Sequence, residues 1–308
     1  MAPSTSSSLS FGTAFQYAFL AVLGYVLAGA PLLSILSGKG PDEAGGRRRD
    51  GAGAVVSTPI PLDKVDSLVI PETGLECEEE AGYKTYIFSR EPLVVYVEGF
   101  VSERERRHVV ELSEPKFKPS TVWTAGNERL DPTVRLSEKA QLDRDDTVKC
   151  IEERARVFQG YRPHVYVEKL WSQRYNAGGH YTYHYDWSTA SRSSGRISSF
   201  MVYLEANCTG GGTHFPRLDK PNDETWCKFI ECGDEEEDRE GTTFKPIAGN
   251  AVYWENIRPD GRGYDESWHA GLPVKSGTKI GLNIWSWYQA GWTPEASSVA
   301  ASASPPSP

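Results

Sequence analysis

His184 and Asp186 stand two residues apart in a segment rich in aromatic residues. On a β-strand that spacing puts both side chains on one face, where an imidazole and a carboxylate can grip one metal ion from one side. His269, in a second strand-like segment, can supply a third ligand. Two histidines and one carboxylate on one side of an ion leave its other positions open, the ligand set of non-haem Fe(II) oxygenases. Lys279 follows ten residues after His269, and a fixed ammonium at a distance from the metal suits a dicarboxylate co-substrate that reaches both.

The strand that carries Lys279 reads clearly. Ile280, Leu282 and Ile284 alternate with Lys279, Gly281, Asn283 and Trp285, so the aliphatic set takes one face while Lys279, Asn283 and Trp285 take the other. If the metal lies on that second face, the lysine points into the mouth of the fold, where a buried ammonium is costly unless an anion meets it.

The neighbourhood of these residues resembles a known family. Tyr175, Gly178, Tyr181, His184 and Asp186 fit a Y-x-x-G-x-x-Y-x-x-H-x-D signature, and Gly210-Gly211-Gly212-Thr213-His214-Phe215-Pro216 fits a G-G-x-T-x-F-P turn. Gly249 to Asn256 resembles the strand before a distal histidine, and Ser267 to Val274 leading to Gly277-Thr278-Lys279 fits an H-A-G-x-P-V-x-x-G-x-K block. Together, from about Leu93 to Tyr288, they resemble the 2-oxoglutarate and Fe(II) dioxygenases related to the catalytic domain of the prolyl 4-hydroxylase alpha subunit, in a short, membrane-anchored form. An isolated H-x-D triplet would carry little weight; blocks in matching order and spacing carry much more.

The resemblance implies a double-stranded β-helix, with Fe(II) on His184, Asp186 and His269. It implies 2-oxoglutarate whose distal carboxylate meets Lys279 and the hydroxyls of Tyr175 and Thr213, O₂ as the second co-substrate, and ascorbate dependence. Hydroxylation of a C–H bond coupled to decarboxylation of 2-oxoglutarate to succinate follows, with a prolyl residue of a peptide as the expected target. No counterpart of the animal collagen enzyme's long N-terminal peptide-binding region is expected, so collagen itself is not the expected target. A lysyl residue, a free amino acid or another small metabolite stays an alternative, as does a β-helix binding module without chemistry, although such modules usually break the ligand set or the lysine.

The other histidines are expected to do less. His108 on a helix and His164 at the start of a strand read as surface or satisfied structural residues, and His180 shares a strand face with His184 but is no ligand in the family motif. His214 occupies a variable position of its turn and is expected to be exposed. Of five cysteines, Cys227 and Cys232 share a loop and could form a disulfide or, with further ligands, a zinc site. The acidic run Asp234 to Asp238 reads as a solvated loop.

The elements around the site suggest an α+β chain with a jelly-roll core. Ser102-Glu103-Arg104-Glu105 is a capping-box pattern that opens a helix to about Leu112, and Val148, Ile151, Ala155 and Phe158 form the apolar stripe of a second. After Leu93 to Val97, strands follow at Val165 to Leu170, Tyr181 to Asp186, Ile197 to Leu204, Ala251 to Trp254 and Lys279 to Trp287, each short, aromatic and β-branched. The dioxygenase domain is placed at 86–290, between a Gly-, Pro- and charge-rich stalk over 37–85 and a Ser/Ala/Pro tail over 291–308.

Residues 1–16 form an N-terminal tail. The run from Tyr17 to Leu36 carries no charge and, as a helix, is about 30 Å long, enough for a bilayer core; it reads as a signal anchor, with a cleavable signal ending near Ala30 as the rival. Arg47-Arg48-Arg49 favours a cytosolic following segment by the positive-inside rule. The cysteines and the sequon Asn207-Cys208-Thr209 favour the opposite, an endoplasmic-reticulum lumen with a glycosylated domain. The formal net charge of −9 and the lack of a basic stripe in the catalytic region argue against nucleic acid as a partner.

Overall fold

The computed structural model describes residues 60, 62–77, 82–124, 127–187, 192–233 and 240–293, all within one compact unit, Ala54–Pro308. Three helices, α1 (Leu62–Ser67), α2 (Glu103–Ser113) and α3 (Asp146–Phe158), accompany the strands. In chain order these are β1 (Lys84–Arg90), β2 (Leu93–Glu98), β3 (Lys118–Pro119), β4 (Val122–Thr124), β5 (Asn127–Arg129), β6 (Arg135–Leu136), β7 (Glu138–Gln141), β8 (Val165–Val167), β9 (Trp171–Asn176) and β10 (His180–His184). The second half adds β11 (Ser194–Gly210), β12 (Thr213–Phe215), β13 (Thr242–Phe244), β14 (Ala251–Glu255), β15 (His269–Gly271) and β16 (Val274–Gln289).

A nine-stranded sheet runs β1-β2-β14-β11-β16-β9-β7-β3, with β8 beside β16, and a five-stranded sheet runs β13-β12-β15-β10-β6. Pairing is antiparallel, and β11 and β16 pair from Ser194↔Gln289 to Gly210↔Val274. Period two decides what each face of β11 meets. Phe200, Val202 and Leu204 join Ile280, Leu282 and Ile284 of β16 in a core closed by Val109 of α2 and Val148, Ile151 and Ala155 of α3. On the opposite face, Tyr96, Tyr203 and Trp254 pack against Phe215 and Phe244 of the smaller sheet. Two sheets face to face with helices behind the larger one make a strand-rich sandwich consistent with a jelly-roll core. Each fully buried aliphatic side chain in the first cluster stabilises by about 1.5–3 kcal/mol.

The first of the two longer helices begins at the predicted capping box, and the second contains the predicted apolar stripe. Ser102 accepts from the Glu105 amide while Glu105 Oε2 accepts from the Ser102 amide, at 3.2 and 2.9 Å. Asp145 caps α3 by accepting from the Val148 amide at 3.0 Å and meets His108 Nε2 at 2.5 Å, so His108 is satisfied. Arg154 of α3 clamps Glu105 of α2 with two hydrogen bonds of 2.7 and 2.9 Å.

Some boundaries differ from the sequence reading. The strand predicted through Asp186 ends at His184, because β10 pairs with β15 no further than His184↔His269. The strand predicted to end at Leu170 closes at Val167, whereas the one predicted at Ile197 to Leu204 extends over 194–210. The stretch 37–85 is not all linker: from Leu62 it docks, with the Val69 amide donating to Val167 O and the Lys169 amide to Ser67 O, both 2.7 Å, and with Lys64 at 2.8 Å from Glu168. Among the described residues of that stretch, Leu68 and Val69 are buried and Tyr83 packs partly buried against the core, too few to show as a period. A disulfide joins Cys77 to Cys150, and another joins Cys227 to Cys232, which removes the latter pair as zinc ligands. Among the described residues no helix is long and apolar enough to cross a membrane. The run Tyr17 to Leu36, the acidic run Asp234 to Asp238 and the tail from 294 lie outside the described residues.

Candidate metal centre and anion pocket

The smaller sheet brings two histidines together by register. His184 on β10 and His269 on β15 are cross-strand partners, their rings 4.3 Å apart. Asp186 sits in the bend just past β10, where nothing in the ladder fixes it. Its carboxylate is held instead by the larger sheet: Oδ2 accepts from Ser199 Oγ at 2.6 Å and from Trp285 Nε1 at 3.1 Å. Arg196, locked by Glu168 through contacts of 2.9 and 3.1 Å, donates to the Asp186 carbonyl at 3.0 Å. One ligand atom from each of His184, Asp186 and His269 lies within 4.8 Å of the others.

The protonation pattern suits metal binding. His184 Nδ1 lies 2.8 Å from Thr182 O, and His269 Nδ1 lies 2.9 Å from Ser267 O. A carbonyl can only accept, so each Nδ1 carries the proton and each Nε2 presents a lone pair. Burial, and then the neighbouring His269, push the His184 pKa down to about 3, so the imidazole stays neutral. Burial alone would raise the Asp186 carboxyl, but His269, Arg196, His184 and the Ser199 hydrogen bond outweigh it and hold the group ionised below its ordinary range. Two imidazole nitrogens whose Nδ1 partners leave Nε2 outward, with one carboxylate oxygen on the same side, fit a divalent first-row metal with open positions. Trp254 Nε1, buried in the cavity wall beside the His269 ring, has no hydrogen-bond partner among the described residues, a donor that a bound oxygen ligand can satisfy.

The same cavity, of about 510 Å³, contains Lys279, Tyr175 and Thr213. Lys279 is 1% exposed and has no carboxylate partner among the described residues. Its Nζ donates to Gly211 O at 2.5 Å and lies 4.7 Å from the centre of the Tyr175 ring, the residue opposite it in register. Burial pushes the Lys279 pKa down to about 8, so the ammonium persists at neutral pH with two N–H donors left for an anion. Gly211 presents its carbonyl from a φ of 71°, and a Cβ there would stand 3.0 Å from Val274 Cγ2. Thr213 Oγ1 accepts from Tyr203 Oη at 2.8 Å, which turns the threonine's own proton elsewhere.

The predicted site residues thus share one cavity, and the remaining histidines stand outside the cluster. His180 Nδ1 faces Gly178 O at 3.0 Å, and His164 Nδ1 faces Trp292 O at 3.2 Å. His214, predicted exposed, is 1% exposed: it lies in β12, paired with both β13 and β15, and a position variable in a motif can still be covered by neighbouring strands. Ser199, Arg196 and Tyr203 escaped the sequence reading; alternation places Trp285 on the Lys279 face of its strand, but its bond to Asp186, like that of Asn256 to Ser199, was not legible. Alternation with Phe200 and Val202 could have put Ser199 and Tyr203 on the cavity side of β11, but their partners come from other strands, whose register a single sequence does not reveal.

Residues 170–287 match the model of the 2OG-Fe(II) oxygenase superfamily. The chain is 29% identical over 206 residues to prolyl 4-hydroxylase subunit alpha-3 of Mus musculus, covering 63% of this chain and 33% of that protein. It is 30% identical over 226 residues to prolyl 4-hydroxylase 5 of Arabidopsis thaliana, covering 70% of this chain and 75% of that protein. A solved viral collagen prolyl hydroxylase from Paramecium Bursaria Chlorella virus-1, in complex with 2OG, aligns over 63% of this chain and 96% of its own at 25% identity and a TM-score of 0.48. The chain spans about a third of the mammalian alpha-3 subunits. With three quarters of the plant enzyme spanned and the superfamily match running from β9 to β16, the chain belongs to the prolyl 4-hydroxylase branch of the 2OG-Fe(II) oxygenases.

Proposed function

We propose that this chain is an Fe(II)- and 2-oxoglutarate-dependent dioxygenase that 4-hydroxylates a prolyl residue of a peptide or protein. One observation carries the reading: two imidazole nitrogens and a carboxylate oxygen converge in the same cavity as a buried lysine with no carboxylate partner among the described residues. His184, Asp186 and His269 are assigned to iron, Lys279 to the distal carboxylate of 2-oxoglutarate, and Tyr175 and Thr213 to hydroxyl contacts with it. When bound, iron with 2-oxoglutarate and O₂ supplies the oxidising power that puts hydroxyl on an unactivated C–H bond, with succinate and CO₂ as co-products. The protein supplies placement: it orients the imidazoles, keeps Asp186 ionised and screens the centre from water with Tyr181, whose ring stacks on His184 at 3.7 Å. Ascorbate dependence belongs to the proposal as well.

The proposal extends to location. Two disulfides and an exposed Asn207 in its sequon support a catalytic domain in the lumen of the endoplasmic reticulum, behind an anchor at 17–36. Succinate release by the full chain, compared among a Pro-rich peptide, free proline and no substrate, tests the activity. Stimulation by the peptide alone is expected; stimulation by free proline would redirect the reading to a metabolite, and none by either would overturn it.

A further inference from the structure

A three-member hydrogen-bond relay runs from the interior of the larger sheet to Asp186. Asn256, fully buried just past β14, donates from Nδ2 to Ser199 Oγ at 2.9 Å, and Ser199 donates to Asp186 Oδ2 at 2.6 Å. The direction is fixed by chemistry. An amide nitrogen can only donate and an ionised carboxylate can only accept, so the single hydroxyl proton of Ser199 must point at Asp186. Ser199 is itself fully buried, and the backbone N–H of Asn256 donates to Ile197 O at 2.7 Å, which fixes the main chain from which the side chain reaches Ser199. Trp285 adds a second donor to the same Oδ2 at 3.1 Å. One carboxylate oxygen is therefore held from behind by two donors, while Oδ1, without a hydrogen bond of its own among the described residues, lies 3.9 Å from His184 Nε2 and 3.9 Å from Arg196 Nη1. Since Asp186 lies beyond the last paired residue of β10, backbone pairing does not set its rotamer; these side chains do.

We infer that Ser199, oriented by Asn256, is a positioning residue that makes Asp186 a one-oxygen metal ligand through Oδ1. The inference rests on assigning a metal to His184, Asp186 and His269, and concerns how that ligand is aimed. Removing an outer partner of a metal ligand typically weakens metal binding by roughly ten- to a hundred-fold. The two links act in series, so their losses should not add.

The test is Co(II) binding to the full chain, followed by calorimetry and by the visible absorption of the bound ion, with no turnover involved. Ser199→Ala should weaken Co(II) by about ten-fold or more and alter the absorption bands, while Ser199→Thr, which keeps the hydroxyl, should stay within about three-fold of the parent. Asn256→Ala should weaken binding too, and the double variant should be no weaker than Ser199→Ala alone. Should Asn256→Ala fail to fold, Asn256→Ser takes its place in the cycle. Parent-like binding by Ser199→Ala, or losses that add in the double variant, would overturn the inference. His184→Ala separates the two levels: if it binds Co(II) like the parent, the metal assignment itself fails.

Discussion

At the scale of single residues, Lys279 carries the sharpest consequences. A buried ammonium that meets a co-substrate carboxylate contributes on the order of 1.5–3 kcal/mol through a charge-assisted contact. Lys279→Ala should thus weaken 2-oxoglutarate binding by roughly ten- to more than a hundred-fold and leave metal affinity near the parent value, as anaerobic titration will read. The sign of the pH effect follows from the free lysine's lowered pKa of about 8. The ammonium is the binding form, present below that pH and lost above it, so 2-oxoglutarate affinity should hold up to about 8 and then fall towards ten-fold per pH unit until the pKa of the complex is reached. Lys279→Ala should flatten that slope; an unchanged slope would place the titrating group elsewhere. Lys279→Arg should recover binding only in part, since its planar fork does not fit the seat of a compact ammonium against Gly211 O.

At the scale of elements, covalent and packing terms separate stability from chemistry. The Cys77–Cys150 bridge spans 73 residues of sequence and ties the docked segment before β1 to α3. Replacing both cysteines by alanine should lower unfolding free energy by about 2–4 kcal/mol without shifting Co(II) affinity. Phe200→Ala, which empties the core between β11 and the helices, should cost about 3–5 kcal/mol in denaturant unfolding. What the sequence disclosed follows the same division. The grouping of His184, Asp186 and His269, the capping box of α2, the apolar stripe of α3 and the alternation of β16 were readable because each is a local pattern of fixed period or spacing. The support of Asp186 was not: Ser199 and Trp285 come from two strands, and Asn256 from just past a third, whose neighbours are set by tertiary register. The Cys77–Cys150 pairing was hidden for a related reason, as five cysteines permit many pairings and contact in space chooses one. His214 shows the limit of motif reasoning, because a position free to vary in type was taken to be free of contacts.

If the domain is luminal, Asn207 is open to glycosylation; the chain made in eukaryotic cells should lose mass on endoglycosidase treatment, and Asn207→Gln should abolish that loss. Digestion of the domain by protease in sealed microsomes without detergent would contradict a luminal placement. The acidity of the whole chain decides little here, since co-substrate attraction is assigned to one buried lysine at short range rather than to a long-range field that salt screens within about 8 Å. The most direct test of the central claim is oxygen transfer itself: the full chain with Fe(II), 2-oxoglutarate, ascorbate and isotopically heavy O₂, acting on a Pro-containing peptide read by fragment mass spectrometry. One heavy oxygen atom on a prolyl residue, with matching succinate, absent from the same peptide with alanine for proline and absent with His269→Ala, is the predicted result. Succinate formed without oxygen on proline, or hydroxyproline formed equally by His269→Ala, would contradict it.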